Sequence, residues 1–254
     1  MADVAPPVGD AILTKVPAVT LGFWVIKILA TTFGETAGDT LSMSFNLGYL
    51  LSSAVFGAML ALLVIMQIRA ARFRPILYWL TIIASTTAGT TLADYATRSM
   101  GIGYPGGSLL LLTIVLASLA WWRSSKGSID VASVHKPRAE MHYWVTITLS
   151  QTLGTALGDW VADGTLGYLG TAVIFGGLLA LLAIAYYRSS ISRVALFWAA
   201  FILTRPLGAV IGDFLDKPVA YGGLELSRGG ASIVLALAIT VLIFAIPQRA
   251  GKAH

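Results

Sequence analysis

Four aspartates recur in this sequence at one fixed distance after a tryptophan. In each copy a glycine follows the tryptophan by ten residues, a glycine or alanine comes four residues later, and the aspartate follows directly. The four pairs are Trp24 and Asp39, Trp79 and Asp94, Trp144 and Asp159, and Trp198 and Asp213. Because the chain has only seven tryptophans in 254 residues, this spacing indicates four copies of one unit. Each copy is strongly apolar between its marked residues, and an acid in or near a lipid bilayer predicts a functional site.

Carboxylate and hydroxyl oxygens are the groups that these copies could bring together. Glu35 lies one helical turn before Asp39 and would share its helix face. Such oxygens suit hard cations such as Mg²⁺, Ca²⁺ or Mn²⁺, which would be a transported substrate, and no covalent cofactor is expected. The predicted metal ligands are Glu35, Asp39, Asp94, Asp159 and Asp213, with Thr36, Thr90, Thr91 and Thr155 as neutral oxygen ligands. Neighbouring carboxylates disfavour one another's charged form, so proton exchange would be a natural coupling.

Two basic residues within the repeats are predicted charge partners of these acids. Lys27 lies two helical turns before Glu35, and Arg205 lies two turns before Asp213. We expect Lys27 to extend towards the cytoplasmic edge of the membrane. Arg205 precedes Pro206, so it would neutralise an acid or satisfy carbonyls that the proline frees.

Further charges follow the repeat aspartates by one helical turn. Asp163 and Asp216 are expected at the outer mouth of the site. The alternative to a cation site is that each aspartate caps a turn or pairs with a base at the outer surface. Arg98, four residues after Asp94, and Lys217, next to Asp216, could provide such bases.

Small residues at fixed spacing would allow the helices that carry the aspartates to pack closely. These pairs are Gly34 and Gly38, Gly89 and Ala93, Gly154 and Gly158, and Gly208 and Gly212. The four aspartates could then converge. The tryptophans are expected to form an aromatic belt at the cytoplasmic interface.

Composition places the chain among integral membrane proteins. Hydrophobic residues make up 57% and charged residues 11%, with a mean hydropathy of +0.81, whereas charged residues make up about a quarter of soluble domains. The chain has no cysteine, which excludes disulfides, thiolate metal sites and iron–sulfur clusters. The net charge of +5 comes from residues at membrane edges, so the expected partner is the lipid bilayer and not nucleic acid.

Eight segments are apolar enough to cross a membrane, which needs about 20 residues. They are Val16–Asp39, Leu47–Ile68, Pro75–Tyr95, Ser108–Trp122, Tyr143–Val161, Leu166–Tyr187, Val194–Phe214 and Ala231–Ile246. The fourth and eighth are short and are expected to extend back into GYPGG and YGGLELSRGG. The predicted fold is therefore all-α, with eight transmembrane helices.

The distribution of basic residues predicts the orientation. Twelve of the seventeen lysines and arginines fall on one side, in the N-terminal segment, in the loops after even-numbered segments and in the C-terminal segment. By the positive-inside rule both termini are cytoplasmic. A unit of two helices crosses the membrane an even number of times, so the repeats would be parallel, related by an axis along the membrane normal.

The predicted organisation follows from these segments. The divisions are a cytoplasmic tail at 1–15, repeats at 16–70 and 75–123, a cytoplasmic loop at 124–141, repeats at 142–188 and 193–247, and a tail at 248–254. The start of the chain does not have the pattern of a secretory signal. A homo-oligomer is compatible with all of these features.

The repeated residues also carry a resemblance. Four tandem two-helix units, each with a marked tryptophan, extend from about Leu21 to Ile246. They resemble a family of bacterial inner-membrane proteins described only as uncharacterised membrane proteins. The resemblance implies an eight-helix protein of the bacterial plasma membrane, and it implies no activity.

Three classes of function are compatible with the sequence. The leading hypothesis is a transporter of a hard divalent cation, with or without coupling to protons, through a pocket of converging carboxylates. A carrier for another small solute, or a membrane partner protein that transports nothing, is the alternative. The Gly-Asp dipeptides are weakly similar to intramembrane aspartyl proteases, in which two facing aspartates share a proton; four aspartates where two suffice argue against an enzyme.

Overall fold

The structure is a computed structural model that describes residues 13–131, 134 and 137–252. Most of the predicted tail 1–15, and parts of the loop 124–141 and the tail 248–254, lie outside the described residues. Within the described part the chain forms eight α-helices and a two-stranded sheet. The helices are α1 Leu21–Asp39, α2 Gly48–Arg69, α3 Pro75–Asp94, α4 Gly103–Lys126, α5 Pro137–Ala162, α6 Gly167–Arg188, α7 Arg193–Asp216 and α8 Arg228–Ala245; the strands are β1 Leu13–Pro17 and β2 Ala250–Lys252.

The helix starts follow local sequence signals. Thr20 accepts a hydrogen bond from the backbone N–H of Phe23 at the start of α1, and Ser227 does the same for Gly230 at the start of α8, as is usual for N-terminal caps. The expected extension of the fourth segment into GYPGG is confirmed, because α4 begins at Gly103. The eighth helix likewise begins earlier than its apolar segment, at Arg228.

The first helices of the four repeats form a closed inner ring. Helix α1 packs against α3, α3 against α5, α5 against α7, and α7 against α1. The second helix of each repeat packs outside this ring, mainly on the first helix of the next repeat: α2 on α3, α4 on α5, α6 on α7, and α8 on α1. Each repeat therefore contacts its successor in the same manner, and the last repeat closes on the first.

Hydropathy and burial distinguish the two sets of helices. Six helices of the described part are long and apolar enough to cross a membrane, namely α2, α3, α4, α6, α7 and α8. In the ring helix α3, 78% of the apolar span is buried inside the protein, against 11% in the outer helix α6, so the outer helices present the apolar surface. Helices α1 and α5 are not apolar enough to be counted among these six, because of the charged and hydroxyl side chains that they contain. Many of these polar side chains are buried. An all-α membrane protein is thus supported, and the crossing of the membrane by α1 and α5 remains a prediction.

The small residues of the repeats form the contacts within the ring. The glycine at position 10 after each tryptophan lies against the residue at position 7 of the next helix around the ring. These contacts are Gly34 with Thr86, Gly89 with Gln151, Gly154 with Arg205, and Gly208 with Thr31. In three of the four pairs a Cβ on the glycine would lie within 2.5 Å of the neighbour's side chain. Glycine is therefore required at these three positions, and at the fourth, Gly89, a Cβ would lie 3.0 Å from Gln151.

Candidate functional site

Four layers of side chains line the interior of the inner ring, one helical turn apart. We name them by their distance in residues after the repeat tryptophan. Layer 3 contains Lys27, Ile82, Ile147 and Phe201; layer 7 contains Thr31, Thr86, Gln151 and Arg205; layer 11 contains Glu35, Thr90, Thr155 and Ala209; layer 15 contains Asp39, Asp94, Asp159 and Asp213. All sixteen residues are at most 6% exposed. Positions four apart share a helix face, and in all four helices this face points inward.

The centre of the ring is occupied by the guanidinium group of Arg205. Its Nη2 atom, which carries two hydrogens, lies within hydrogen-bond distance of three oxygens: Oε2 of Glu35 at 2.9 Å, Oγ1 of Thr90 at 2.5 Å, and Oγ1 of Thr155. The fourth member of layer 11, Ala209, has no polar side-chain atom. A single nitrogen of the protein therefore contacts every polar side chain of this layer. Arg205 was predicted as a charge partner, and its partner is Glu35 on α1 rather than an acid on its own helix.

Two bases connect the four repeat aspartates in pairs. Arg98 lies 3.0 Å from Asp94 on its own side of the ring and 3.1 Å from Asp159 on the next helix. Lys217 lies 2.9 Å from Asp213 and 2.5 Å from Asp39. Both bases follow their own aspartate by four residues and reach the aspartate of the next repeat. Copies one and three have Met43 and Asp163 at this position, so the ion-pair pattern alternates around the ring.

A further acid and base extend this network towards α8. Asp216 is buried, and its carboxylate lies 3.3 Å from Nε of Arg228, which also lies 3.9 Å from Asp39. The described cluster thus combines six acids, counting Glu35 and Asp216 with the four aspartates, and four bases. Two negative charges remain in this cluster if every one of its groups is ionised.

Three carboxylates meet on the axis between layers 11 and 15. Single oxygens of Glu35, Asp159 and Asp213 all lie within 4.8 Å of one another. A second group with this spacing, Asp39, Asp213 and Asp216, lies to one side and contacts Lys217 and Arg228. We refer to the first group as the axial triad.

An open cavity leads from the surface to the axial triad. Its volume is about 270 Å³, and its lining residues are Arg98, Tyr104, Asp159, Ala162, Asp163, Gly164, Gly167, Tyr168, Asp213 and Tyr221. Two of the three triad acids are therefore in contact with the cavity, and Glu35 lies beneath them. A water molecule takes up about 30 Å³, so the cavity is large enough for a cation with most of its hydration shell.

The tryptophan end of the ring is closed by aromatic side chains. Trp79, Trp144 and Trp198 are at most 3% exposed, and they pack edge-to-face or tilted against the aromatic residues that precede them in each copy. The prediction of an interfacial aromatic belt is therefore wrong for these three tryptophans. Tyr78 and Tyr143 share a hydrogen bond of 2.6 Å across this layer.

The hydrogen bond between Tyr78 and Tyr143 gives a first testable prediction. Tyr78→Phe should destabilise the protein by about 1 to 3 kcal/mol, because it leaves the buried Tyr143 hydroxyl without its partner. Replacing both tyrosines by phenylalanine should cost less than the single change, since no hydroxyl is then left unpaired. Thermal unfolding in detergent measures both. Additive losses in the double variant would contradict the prediction.

Strands and loops cover this closed end. Strands β1 and β2 pair antiparallel, and Lys15 in β1 lies 2.6 Å from the buried Glu140 of α5 while donating to the carbonyl of Ile68 at the end of α2. The indoles of Trp79 and Trp198 donate to this cover, at Gln248 and Ile129. The tryptophans of copies two and four thus hold the segments that contain Gln248 and Ile129 against the closed end of the ring.

The structure does not bring every predicted site residue to the cluster. The Thr36 hydroxyl contacts Ser232 of α8, and that of Thr91 donates to carbonyls of its own helix. Asp163 lines the cavity, as expected for the mouth, but Asp216 is buried beside Arg228. The expectation that Lys27 extends towards the membrane edge is wrong, because Lys27 is fully buried.

The environment of Lys27 differs from the predicted one in two respects. Its amine lies 3.3 Å from the Thr204 hydroxyl and 3.8 Å from the centre of the Phe201 ring. It does not extend towards the membrane edge, and it forms no ion pair with any described residue. Its predicted role as a charge partner is therefore not found.

Some residues of the site were missed or only half recognised in the sequence. The pairing of Arg98 with Asp94 follows from their i, i+4 spacing, but its second partner Asp159 does not. Arg228 and the three tyrosines of the cavity, Tyr104, Tyr168 and Tyr221, lie at or just before the starts of outer helices and were not predicted as site residues. The order of helices in the ring is what brings them to the site.

A comparison with known families identifies the repeat. A family model described as a repeat of unknown function, DUF347, matches the chain four times, over residues 22–73, 77–128, 142–192 and 196–249. The four tandem copies and the kinship with an uncharacterised family are confirmed. No curated protein and no solved structure matches the chain.

Proposed function

Since the chain belongs to the family built from this repeat of unknown function, we propose from the site alone that it is a membrane transporter of a small hard cation. The observation that carries this proposal is the axial triad. Oxygens of Glu35, Asp159 and Asp213 lie within 4.8 Å of one another at the base of an open cavity. Carboxylates within a membrane protein usually face a water-filled path or a substrate.

The chemistry of the donors favours a divalent ion such as Mn²⁺, Mg²⁺ or Ca²⁺. The site offers oxygen atoms only, which hard cations prefer, and the described cluster has two unbalanced negative charges. The ion would replace amino and guanidinium groups that now neutralise the same carboxylates, Lys217 at Asp213 and Arg98 at Asp159. Protons would compete for these oxygens, which supports coupling of the cation to protons.

The distribution of charge supports an orientation for the transporter. Most basic residues lie at the tryptophan end, which we therefore assign to the cytoplasm, with both termini on that side and the cavity facing outward. The proposal includes eight crossings and four parallel repeats around the membrane normal. In its support, neighbouring inner helices contact each other at matching positions, counted from the repeat tryptophan. The glycine at position 10 lies against position 7 of the next helix, and a glycine at position 14 lies against position 11, as Gly208 and Gly212 do with Thr31 and Glu35. We assign the protein to the bacterial inner membrane on the predicted kinship.

The pairing of the aspartates favours transport over hydrolysis. An aspartyl protease needs two facing carboxyl groups that share a proton and activate water. Here each of the four repeat aspartates contacts an arginine or lysine. We therefore propose that the protein is not an enzyme.

Binding of Mn²⁺ to the purified protein tests the proposal and gives a second prediction. At about 100 times its dissociation constant, a bound ion stabilises the folded state by about 2.7 kcal/mol, or about 5 to 10 °C in Tm for a chain of this size. Asp159→Asn should abolish this shift because it removes a triad ligand. Asp163→Asn, which changes an exposed acid of the same cavity, should retain it.

Uptake of Mn²⁺ into proteoliposomes extends the test from binding to transport. The wild-type protein and Asp163→Asn should carry the ion, and Asp159→Asn should not. If Mn²⁺, Mg²⁺ and Ca²⁺ all leave the Tm of the wild-type protein unchanged, the cation proposal is wrong. The cavity would then belong to a carrier of another solute or to a partner protein, with the carboxylates serving only to hold the ring together.

A further inference from the structure

We propose that Arg205 is a tethered cation that competes with the transported ion for Glu35, and that this competition determines which ions the site accepts. The inference rests on the proposed function and identifies a specificity-determining residue within it. The ion and the guanidinium group would occupy neighbouring positions that cannot be filled together.

The first step is the occupancy of layer 11. Arg205 is fully buried, and its Nη2 atom contacts Glu35, Thr90 and Thr155 at once. These three residues are also the ones that a metal ion would use below the aspartates. The protein therefore already places a positive charge where the innermost ligands of an ion would lie.

The second step is that both cations need the same carboxylate. Glu35 is a member of the axial triad and the acid of the ion pair with Arg205. An ion bound at the triad would lie beside the guanidinium group, and like charges at such distances repel strongly in a protein interior. Full coordination of the ion thus requires Arg205 to release Glu35.

The third step is that the ring is built to hold this buried charge at one position, in one copy only. Gly154 lies directly against the stem of Arg205, where a Cβ would come within 2.2 Å of its Cγ. Pro206 follows, and a proline inside a helix removes one backbone hydrogen bond. The other three members of layer 7, Thr31, Thr86 and Gln151, are neutral, so a charge at this layer occurs in one copy only.

The consequence is selection by charge. A divalent ion attracts the triad strongly enough to replace the guanidinium group, whereas a monovalent ion offers no more charge than Arg205 itself. Lys27, one layer further in and without a carboxylate partner among the described residues, adds a second positive charge on the same path. Na⁺ and K⁺ would therefore bind poorly as long as Arg205 is present.

The test is Arg205→Gln, which gives the fourth copy the residue that the third copy has at Gln151. Removing the competitor should strengthen Mn²⁺ binding at least tenfold and should allow Na⁺ to compete with Mn²⁺, which it does not do in the wild-type protein. Guanidinium chloride at millimolar concentration should compete with Mn²⁺ in the variant only. Titration of the purified protein, followed by calorimetry or Mn²⁺ electron paramagnetic resonance, measures all three effects.

The direction of the change separates this role from a structural one. A residue that merely holds the ring together would weaken or abolish Mn²⁺ binding when removed. Weaker or unchanged binding in Arg205→Gln, with an Asp159-dependent Mn²⁺ site intact in the wild type, overturns the inference and leaves the proposed function standing. Absence of that site in the wild type contradicts the proposed function instead. Should Arg205→Gln not fold, Arg205→Met is measured in its place, with the same expected gain.

Discussion

Gly208→Ala is expected to destabilise the protein by about 3 kcal/mol, the upper part of the usual range for overpacking in a close-packed interior. The added Cβ would lie 2.1 Å from Oγ1 and 2.6 Å from Cβ of Thr31, and 2.9 Å from the backbone nitrogen of Thr32. Two of these atoms are fixed by the backbone of α1, so rotation of one side chain does not relieve the contact. Helices α7 and α1 would have to separate where the fourth repeat closes on the first.

A glycine on the outer surface of the protein provides the matched control. Gly177 in α6 is exposed, and apart from its chain neighbours and the backbone of its own helix no described atom lies within 4 Å of the position that a Cβ would take. Gly177→Ala should be neutral or stabilising by up to about 1 kcal/mol, because alanine favours the helix over glycine. Thermal unfolding in detergent measures both variants. Equal stability of the two would show that the ring does not depend on the approach at Gly208.

The four repeats and the packing face of each first helix could be predicted from the sequence because both depend on spacing within one helix. The tryptophan-to-aspartate interval identifies the four copies, and the glycine pairs identify the faces that approach one another. Both are local patterns that repeat. The eight apolar segments correspond to the eight helices for the same reason, although α1 and α5 have more polar residues than a lipid-exposed span tolerates.

Contacts between helices could not be predicted in this way. An i, i+4 pattern relates Arg98 to Asp94, but the second contact, with Asp159, depends on which helix lies next in the ring. Lys27 shows the same limit. Its position near the start of an apolar helix is typical of a lysine that extends to the membrane edge, yet the ring interior provides Phe201 and Thr204 as nearer partners.

The tryptophans were misjudged for a related reason. Tryptophan near the end of an apolar helix favours the membrane interface, and position along the helix does not tell which face the residue occupies. In this protein that face is the inside of the ring. The cavity at the aspartate end is open, whereas aromatic side chains close the tryptophan end of the ring.

Lys217→Met is expected to destabilise the protein by about 3 kcal/mol at neutral pH, the lower end of the range for breaking a buried ion pair, since Lys217 retains some exposure. The ammonium group lies 2.5 Å from Asp39, 2.9 Å from Asp213 and 3.8 Å from Asp216. Without it, Arg228 is the remaining described base near these carboxylates, at 3.9 Å from Asp39 and 3.3 Å from Asp216.

The dependence of this loss on pH and on Mn²⁺ distinguishes charge repulsion from lost packing. Protonation removes the negative charges that repel one another, so the deficit of Lys217→Met should be largest at alkaline pH and shrink as the pH falls. Lys217→Arg, which keeps the charge, should be nearly as stable as the wild type, and adding Asp213→Asn to Lys217→Met should recover part of the lost stability.

Mn²⁺ should raise the Tm of Lys217→Met more than that of the wild type, because the ion takes the place of the missing ammonium group. A deficit that is equal at pH 5 and pH 8 and insensitive to Mn²⁺ would mean that Lys217 acts through its aliphatic chain and that the aspartates tolerate the loss of its charge.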